Sequence, residues 1–210
     1  LRKIPDLNKI VKGMITAQDI QKIEIEDLLG REAVKPDPYL LKSCIDKKEV
    51  LITGCGGSIG SELTKQIILL NPKSLILVEQ SEYFLYEIMQ EISEIKKKYG
   101  LHTPIFSYQG SVGDIEFMTS VFERNNIDTV YHAAANKHVP LVEQNPVAAI
   151  KTNILGTHDL AVISYKHNVE NFVLISSDKA VRPTNIMGAT KRFAEIILQS
   201  LQDLVDALPS

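Results

Sequence analysis

From residue 49 onward, short apolar runs alternate with longer stretches in which apolar positions recur every three or four residues. Val50-Leu51-Ile52-Thr53 is an apolar run closed by glycines, as expected of a strand buried on both faces of a parallel sheet. Four more runs follow it: Ser74 to Val78, Ile105 to Tyr108, Thr129 to Ala133 and Phe172 to Ser176. Helical spacing between and after them predicts helices over 61–70, 81–99, 114–124, 146–167 and 187–204. The first stops at Asn71-Pro72, and Lys96-Lys97-Lys98 put cations in the last turn of the second, where they suit the helix dipole. Strands alternating with helices of this length imply right-handed crossovers between parallel neighbours. The pattern therefore predicts a doubly wound α/β fold, Rossmann-like, with its ligand beyond the carboxyl ends of the strands.

Residues 1–47 lack this regularity and read as an N-terminal arm ahead of a domain spanning 48–210. Thr16-Ala17-Gln18-Asp19 resembles a capped helix start. Ile23, Ile25 and Leu28-Leu29 are apolar anchors for the arm, and Lys35-Pro36-Asp37-Pro38 reads as an extended turn. The chain opens on Leu1 rather than Met and is read as a piece of something longer.

Composition narrows the choice of function. With 26 acidic against 23 basic side chains the net charge is −3, which gives no footing for a nucleic-acid or anionic-membrane surface. No stretch approaches the roughly 18 apolar residues of a membrane span, and no signal peptide opens the chain. Two cysteines, Cys44 and Cys55, are too few for a disulfide scaffold and suit a reducing compartment; no residue cluster resembles a metal site.

The first strand runs into Thr53-Gly54-Cys55-Gly56-Gly57-Ser58-Ile59-Gly60 and then a helix. Glycines at 54, 57 and 60 permit a tight turn, close backbone approach to a pyrophosphate, and close helix–strand packing. The N–H groups of Ser58 and Ile59 at the helix start then face the phosphates. Glu79 ends the second strand, followed by Gln80 and Ser81; a carboxylate there accepts from the ribose hydroxyls of an adenosine and repels a 2′-phosphate, favouring NAD over NADP. Ser111-Val112 after strand three and Ala133-Ala134-Ala135 after strand four lie at the same edge, where small residues let adenine and ribose approach the backbone. Cys55 reads as a space-filler in the loop.

Gly54-x-x-Gly57-x-x-Gly60, Asn153-x-x-Gly156-Thr157 and a polar end to strand five resemble the extended short-chain dehydrogenase/reductases. Three segments look closer to one family within them, the nucleotide-sugar 4,6-dehydratases of bacterial polysaccharide and glycan biosynthesis. These are His132-Ala133-Ala134-Ala135-Asn136-Lys137-His138-Val139-Pro140, Ser176-Ser177-Asp178-Lys179-Ala180, and Arg182-Pro183-Thr184-Asn185-Ile186-Met187-Gly188-Ala189-Thr190-Lys191-Arg192. The resemblance covers about residues 20–200. Ile25 to Arg31 also looks like the stretch before the catalytic domain in the long, membrane-anchored branch. It implies a cytoplasmic catalytic region of a parent held in the bacterial inner membrane, a UDP-sugar substrate, NAD as cofactor, and a homo-oligomer. The family continues beyond the last helix with a smaller domain that grips the sugar nucleotide, so the C-terminal substrate part is expected to be missing.

By motif position the resemblance makes Asp178 the acid that protonates the departing C6 hydroxyl and Lys179 the base that removes the C5 proton. A neighbouring ammonium and carboxyl can divide acid and base roles. Ser177 is placed to hydrogen-bond the C4 oxygen. Lys191, four residues after Met187 on one helical face, holds the nicotinamide ribose. Met187 stands where most short-chain reductases carry a tyrosine, which leaves the C4-hydroxyl base to Asp178, or to Lys191 through water. Lys137 and Asn185 are the substrate contacts. A nucleotide-sugar 4-epimerase on the same scaffold and a non-catalytic NAD-binding module are the rival readings. His132 is expected to be packed, and His138 structural.

Overall fold

A computed structural model describes residues 2–3, 21–22 and 37–207. The chain divides into two compact units, Leu1–Pro38 and Tyr39–Ser210. In the first, the two-residue strands Arg2–Lys3 and Gln21–Lys22 pair antiparallel. The helix start at Thr16–Asp19 and the apolar anchors Ile23, Ile25, Leu28 and Leu29 lie outside the described residues, as do Lys35, Pro36 and the last three residues.

The second unit is built on five parallel strands: β1 (Glu49–Thr53), β2 (Ser74–Glu79), β3 (Ile105–Gln109), β4 (Thr129–His132) and β5 (Asn171–Leu174). Their order is β3-β2-β1-β4-β5, so the chain winds outward from β1 in one direction and then returns to its other side. That reversal between β1 and β4 opens the crevice in which such sheets bind ligands. The strand reading is borne out. All six residues of β2 are buried and only Glu49 of β1 is not, as covering by helices on both faces requires.

Helices fill both faces: α1 (Pro38–Ile45), α2 (Ser58–Leu69), α3 (Glu82–Tyr99), α4 (Ile115–Arg124), α5 (Val139–Gln144), α6 (Pro146–Ala149), α7 (Gly156–Lys166) and α8 (Ile186–Asp206). One core layer packs Ile52, Leu75 and Leu77 against Ile67, Ile88 and Ile92; the other packs Leu51, Ile76 and Val130 against Met118, Val121 and Leu160. Caps set the starts: Ser81 Oγ accepts from the Phe84 N–H, Asp114 from Phe117, and Asn185 from Gly188. Gly100, at φ 65°, ends α3 in the left-handed conformation.

Three elements differ from the sequence pattern. Pro38 opens α1 instead of extending a turn, because a proline at the first helical position gives up only a donor that lacked a partner anyway. Ile45 of this helix is buried in the core, and the Thr129 hydroxyl donates to the Cys44 carbonyl at 2.7 Å, which ties α1 to β4. The helix expected over 146–167 is broken into α6, a π-helical turn at Ile150–Leu155, and α7. Ahead of it, α5 was not anticipated; its Pro140 sits in the first turn.

Candidate active site

The carboxyl ends of β1, β2 and β4 open into one cleft. Gly54 leaves β1 at φ 67°, and a Cβ there would stand 2.6 Å from the Ala134 backbone, so only glycine closes this turn. At Gly60 a Cβ would fall 1.9 Å from the Gly54 carbonyl, which is the close helix–strand packing expected of the third glycine. Gly57 is different. It precedes α2 at φ −69°, ψ 166°, and a Cβ would meet only the Gly54 carbonyl, at an ordinary 3.4 Å. The protein does not need a glycine here; a ligand lying against this backbone would.

Glu79 is 8% exposed and fixed by its neighbours. Its Oε2 accepts from the Gly56 N–H and its Oε1 from the Ser81 N–H, each at 3.1 Å. The carboxylate therefore links the glycine loop to the start of α3, with lone pairs left to face the cleft. Beside it, burial and then the Glu79 charge push the Cys55 thiol up to about 12, which leaves it an inert filler. Gln80, Ser81, Val112, Ala133, Ala134 and Ala135 complete the predicted wall, with Ser58 and Ile59 at the α2 N-terminus. Ser111 does not line the cleft; its Oγ accepts from the Gly113 N–H in the next turn. Phe84 and Asn136 also line it and were missed. Gly56 makes room for Phe84, since a Cβ there would sit 2.5 Å from the Phe84 Cβ, a contact that nothing local in the sequence marks.

Lys137, assigned to substrate by motif, lines this same cleft. Its Nζ donates to Ser58 Oγ at 3.2 Å, across the mouth and onto the α2 N-terminus. A dinucleotide fits these residues: backbone donors and an ammonium converge where phosphates would lie, and the glycine cradle keeps Cβ atoms out.

A buried polar chain leads from the cleft toward α8. His132 is fully buried between Thr53 Oγ1, 2.6 Å from Nδ1, and Thr157 Oγ1, 3.0 Å from Nε2. Thr157 spends its hydroxyl hydrogen on the Asn153 carbonyl, so Nε2 is the ring's donor and Nδ1 accepts from Thr53. Burial, with a smaller push from Lys191, lowers the imidazole to about 3 and keeps it neutral. From the π-helical turn, Asn153 donates to the Asn136 carbonyl and to Thr190 Oγ1 and accepts from the Asn136 N–H. The wide turn thus seats one amide between the β4 loop and α8.

Lys191 on α8 is 6% exposed, and burial lowers its affinity for a proton while Glu195 opposes that effect. Met187, one turn before it, is buried against Val142 and Ala149. Asn185 is occupied as the α8 cap, accepting from Gly188 at 2.8 Å. Beyond β5, Ser177 caps a 3-10 turn at Asp178–Ala180 by accepting from the Lys179 N–H. The Asp178 side chain is 94% exposed and that of Lys179 52%, with 3.9 Å between their charged atoms. Gly188 brings this turn onto α8: a Cβ there would be 2.3 Å from the Lys179 carbonyl. The structure therefore gathers the residues predicted to bind cofactor, Ser111 and Lys191 apart, in one cleft, and sets Ser177, Asp178 and Lys179 on the turn that α8 supports. Among the described residues no His, Cys, Asp and Glu cluster could hold a metal ion, and no helix is long and apolar enough to cross a membrane.

Comparison with known proteins agrees with this architecture. The capsular polysaccharide biosynthesis protein CapD of Staphylococcus aureus is 42% identical over 206 residues, covering 97% of this chain and 33% of CapD. A UDP-N-acetylglucosamine 4,6-dehydratase (inverting) of Campylobacter jejuni is 35% identical over 148 residues, 70% of this chain and 41% of that enzyme. Among solved structures, Pen from Bacillus thuringiensis superposes with a TM-score of 0.67 at 33% identity, covering 74% of this chain and 45% of Pen. The UDP-glucose 4-epimerase of Bifidobacterium longum, solved with NAD+ and UDP, gives 0.62 at 26% identity, covering 74% and 49%. The chain thus spans a third to a half of the proteins it matches. A family described as polysaccharide biosynthesis protein matches residues 50–207, and the chain belongs to that family.

Proposed function

We propose that this chain is the cofactor-binding and catalytic part of an NAD-dependent UDP-sugar 4,6-dehydratase acting on UDP-N-acetylglucosamine. The observation that carries this reading is the Ser177-Asp178-Lys179 turn packed on Gly188, one turn ahead of a buried Lys191. The C. jejuni relative supports the same chemistry.

NAD would lie with its adenosine ribose on Glu79, its pyrophosphate at the α2 N-terminus and on Lys137, and its nicotinamide ribose on Lys191. Bound there, it would supply the acceptor for hydride from C4 and the donor that returns hydride to C6. Lys137, assigned to substrate by motif, is better placed for a phosphate of the cofactor. Glu79 favours NAD over NADP because a 2′-phosphate would meet a carboxylate already held in place.

The remaining steps are proton movements. Ser177 donates to the C4 oxygen, Lys179 removes the C5 proton once the C4 ketone acidifies it, Asp178 protonates the leaving C6 oxygen, and Lys179 gives its proton back to C5 as hydride reaches C6. Met187 has no proton to give or take, so the C4-hydroxyl proton goes to Asp178, or to Lys191 through a water. Substrate seated on the turn would exclude the solvent that now surrounds Asp178 and Lys179. As the arm's resemblance implies, we place the chain on the cytoplasmic side of a membrane-anchored, homo-oligomeric parent. A 4-epimerase is the second reading, supported by the B. longum neighbour.

Mass spectrometry of the sugar nucleotide, coupled to chromatography that resolves the C4 epimers, separates these readings after incubation with UDP-N-acetylglucosamine and NAD, run on this chain and on its longer parent. Loss of one water with the parent is the expected result, abolished by Asp178→Asn. A product that keeps its C6 oxygen makes the enzyme an epimerase, and no turnover by the parent removes the catalytic reading.

A further inference from the structure

Glu195 takes no part in the reaction as written, yet it joins the two elements that carry it. It lies four residues after Lys191 on α8, hence on the same face. The Ser176 hydroxyl, between β5 and the Ser177-Asp178-Lys179 turn, donates to its Oε1 at 2.5 Å, and Arg192 Nη1 donates to its Oε2 at 2.9 Å. Gly188 admits the Lys179 carbonyl one helical turn before Lys191, and Glu195 grips Ser176 one turn after it. The turn is therefore pinned to α8 at two points that bracket the lysine. We propose that Glu195 is a positioning residue, which clamps the end of β5 to α8 and sets a negative charge beside Lys191. This rests on the reading of Ser177, Asp178 and Lys179 as the reacting turn.

The charges around Lys191 leave Glu195 as the counter-charge. Of the groups acting on the lysine, His132 from β4 is neutral and Glu195 is ionised, its carboxyl lowered first by the Ser176 hydroxyl and then by Arg192. The other charged groups on elements packed against α8 are directed elsewhere. Glu143 of α5 accepts from the Ile186 N–H, Asp159 of α7 pairs with His158, and Lys151, Lys166, Asp178 and Lys179 are exposed. Arg192, next to the lysine, is bonded to Glu195 itself. Glu195 opposes the loss of charge that burial imposes on Lys191.

Two nuclear magnetic resonance readouts on this chain test the clamp without any turnover. The amides of Lys179, Ala180 and Val181 are hydrogen-bonded within the turn, so their exchange reports its opening. Glu195→Ala and Ser176→Ala should each speed that exchange at least tenfold, and the double variant no further, while amides of β2 keep their protection. Glu195→Gln keeps an acceptor for Ser176 and should keep the turn protected, yet move the Lys191 ε-carbon titration to lower pH. Unchanged exchange in both alanine variants, or an unmoved Lys191 titration in Glu195→Gln, overturns the proposal. The dehydration assay with Asp178→Asn tests the underlying reading separately: turnover that survives it sinks that reading and leaves the clamp standing.

Discussion

A single imidazole illustrates how much depends on one buried residue. His132 satisfies both ring nitrogens only as the neutral form, because Thr157 has already spent its hydrogen on the Asn153 carbonyl. An unfolded histidine binds a proton near pH 6.5, whereas this one resists until about 3. Between those values the unfolded chain holds one more proton than the native one. The stability tied to His132 is therefore complete above about pH 6.5 and falls as pH drops, by about 1.4 kcal/mol per unit. Urea unfolding from pH 7.5 to 4.5 should show this slope in the native chain. His132→Gln should be less stable at neutral pH but flatter by one proton over that range. Equal slopes in the two proteins would mean that the ring is not held neutral.

At the scale of elements, glycines do the work of joining. The Lys179 carbonyl lies where a Cβ of Gly188 would be, so Gly188→Ala must push the 3-10 turn off α8 or shift the helix start. Overpacking of this kind costs about 1–3 kcal/mol, and the expected result is a modest drop in Tm with a large loss of dehydration by the parent. Thermal unfolding beside the turnover assay checks it; full activity in that variant would detach the turn from the chemistry. The β-strands, most helices and the glycine cradle were legible in the sequence because each follows from local periodicity or a backbone need. The π-helical turn was not, because residues 146–167 keep an apolar helical period throughout. What widens the helix is distant: Asn153 reaching Asn136 and Thr190. Glu195 was hidden for the same reason, since an acid one turn after a lysine reads as a surface pair until Ser176 is seen to meet it. Helix α1 was missed because its described anchors, Ile45 and the half-buried Cys44, lie together at its end and its tie to β4 crosses 85 positions.

At the scale of the whole molecule, the well-knit cleft proposed to hold the cofactor contrasts with the Ser177-Asp178-Lys179 turn, whose charged side chains stand open to solvent. That division predicts that the chain binds cofactor by itself, whatever its turnover. At a hundredfold excess over Kd, NAD should stabilise it by about 2.7 kcal/mol, roughly 5–10 °C in Tm for a domain of this size. NADP should give less, and Glu79→Gln should narrow the difference. Gly57 makes this separable. The fold asks of that position an extended backbone at the α2 N-cap, with room for a methyl group on the protein side. Gly57→Ala should melt within about 4 °C of the native chain, the small loss expected of alanine at a helix N-cap, and gain nothing from NAD. In genetic terms such an allele is silent for abundance and null for the cofactor.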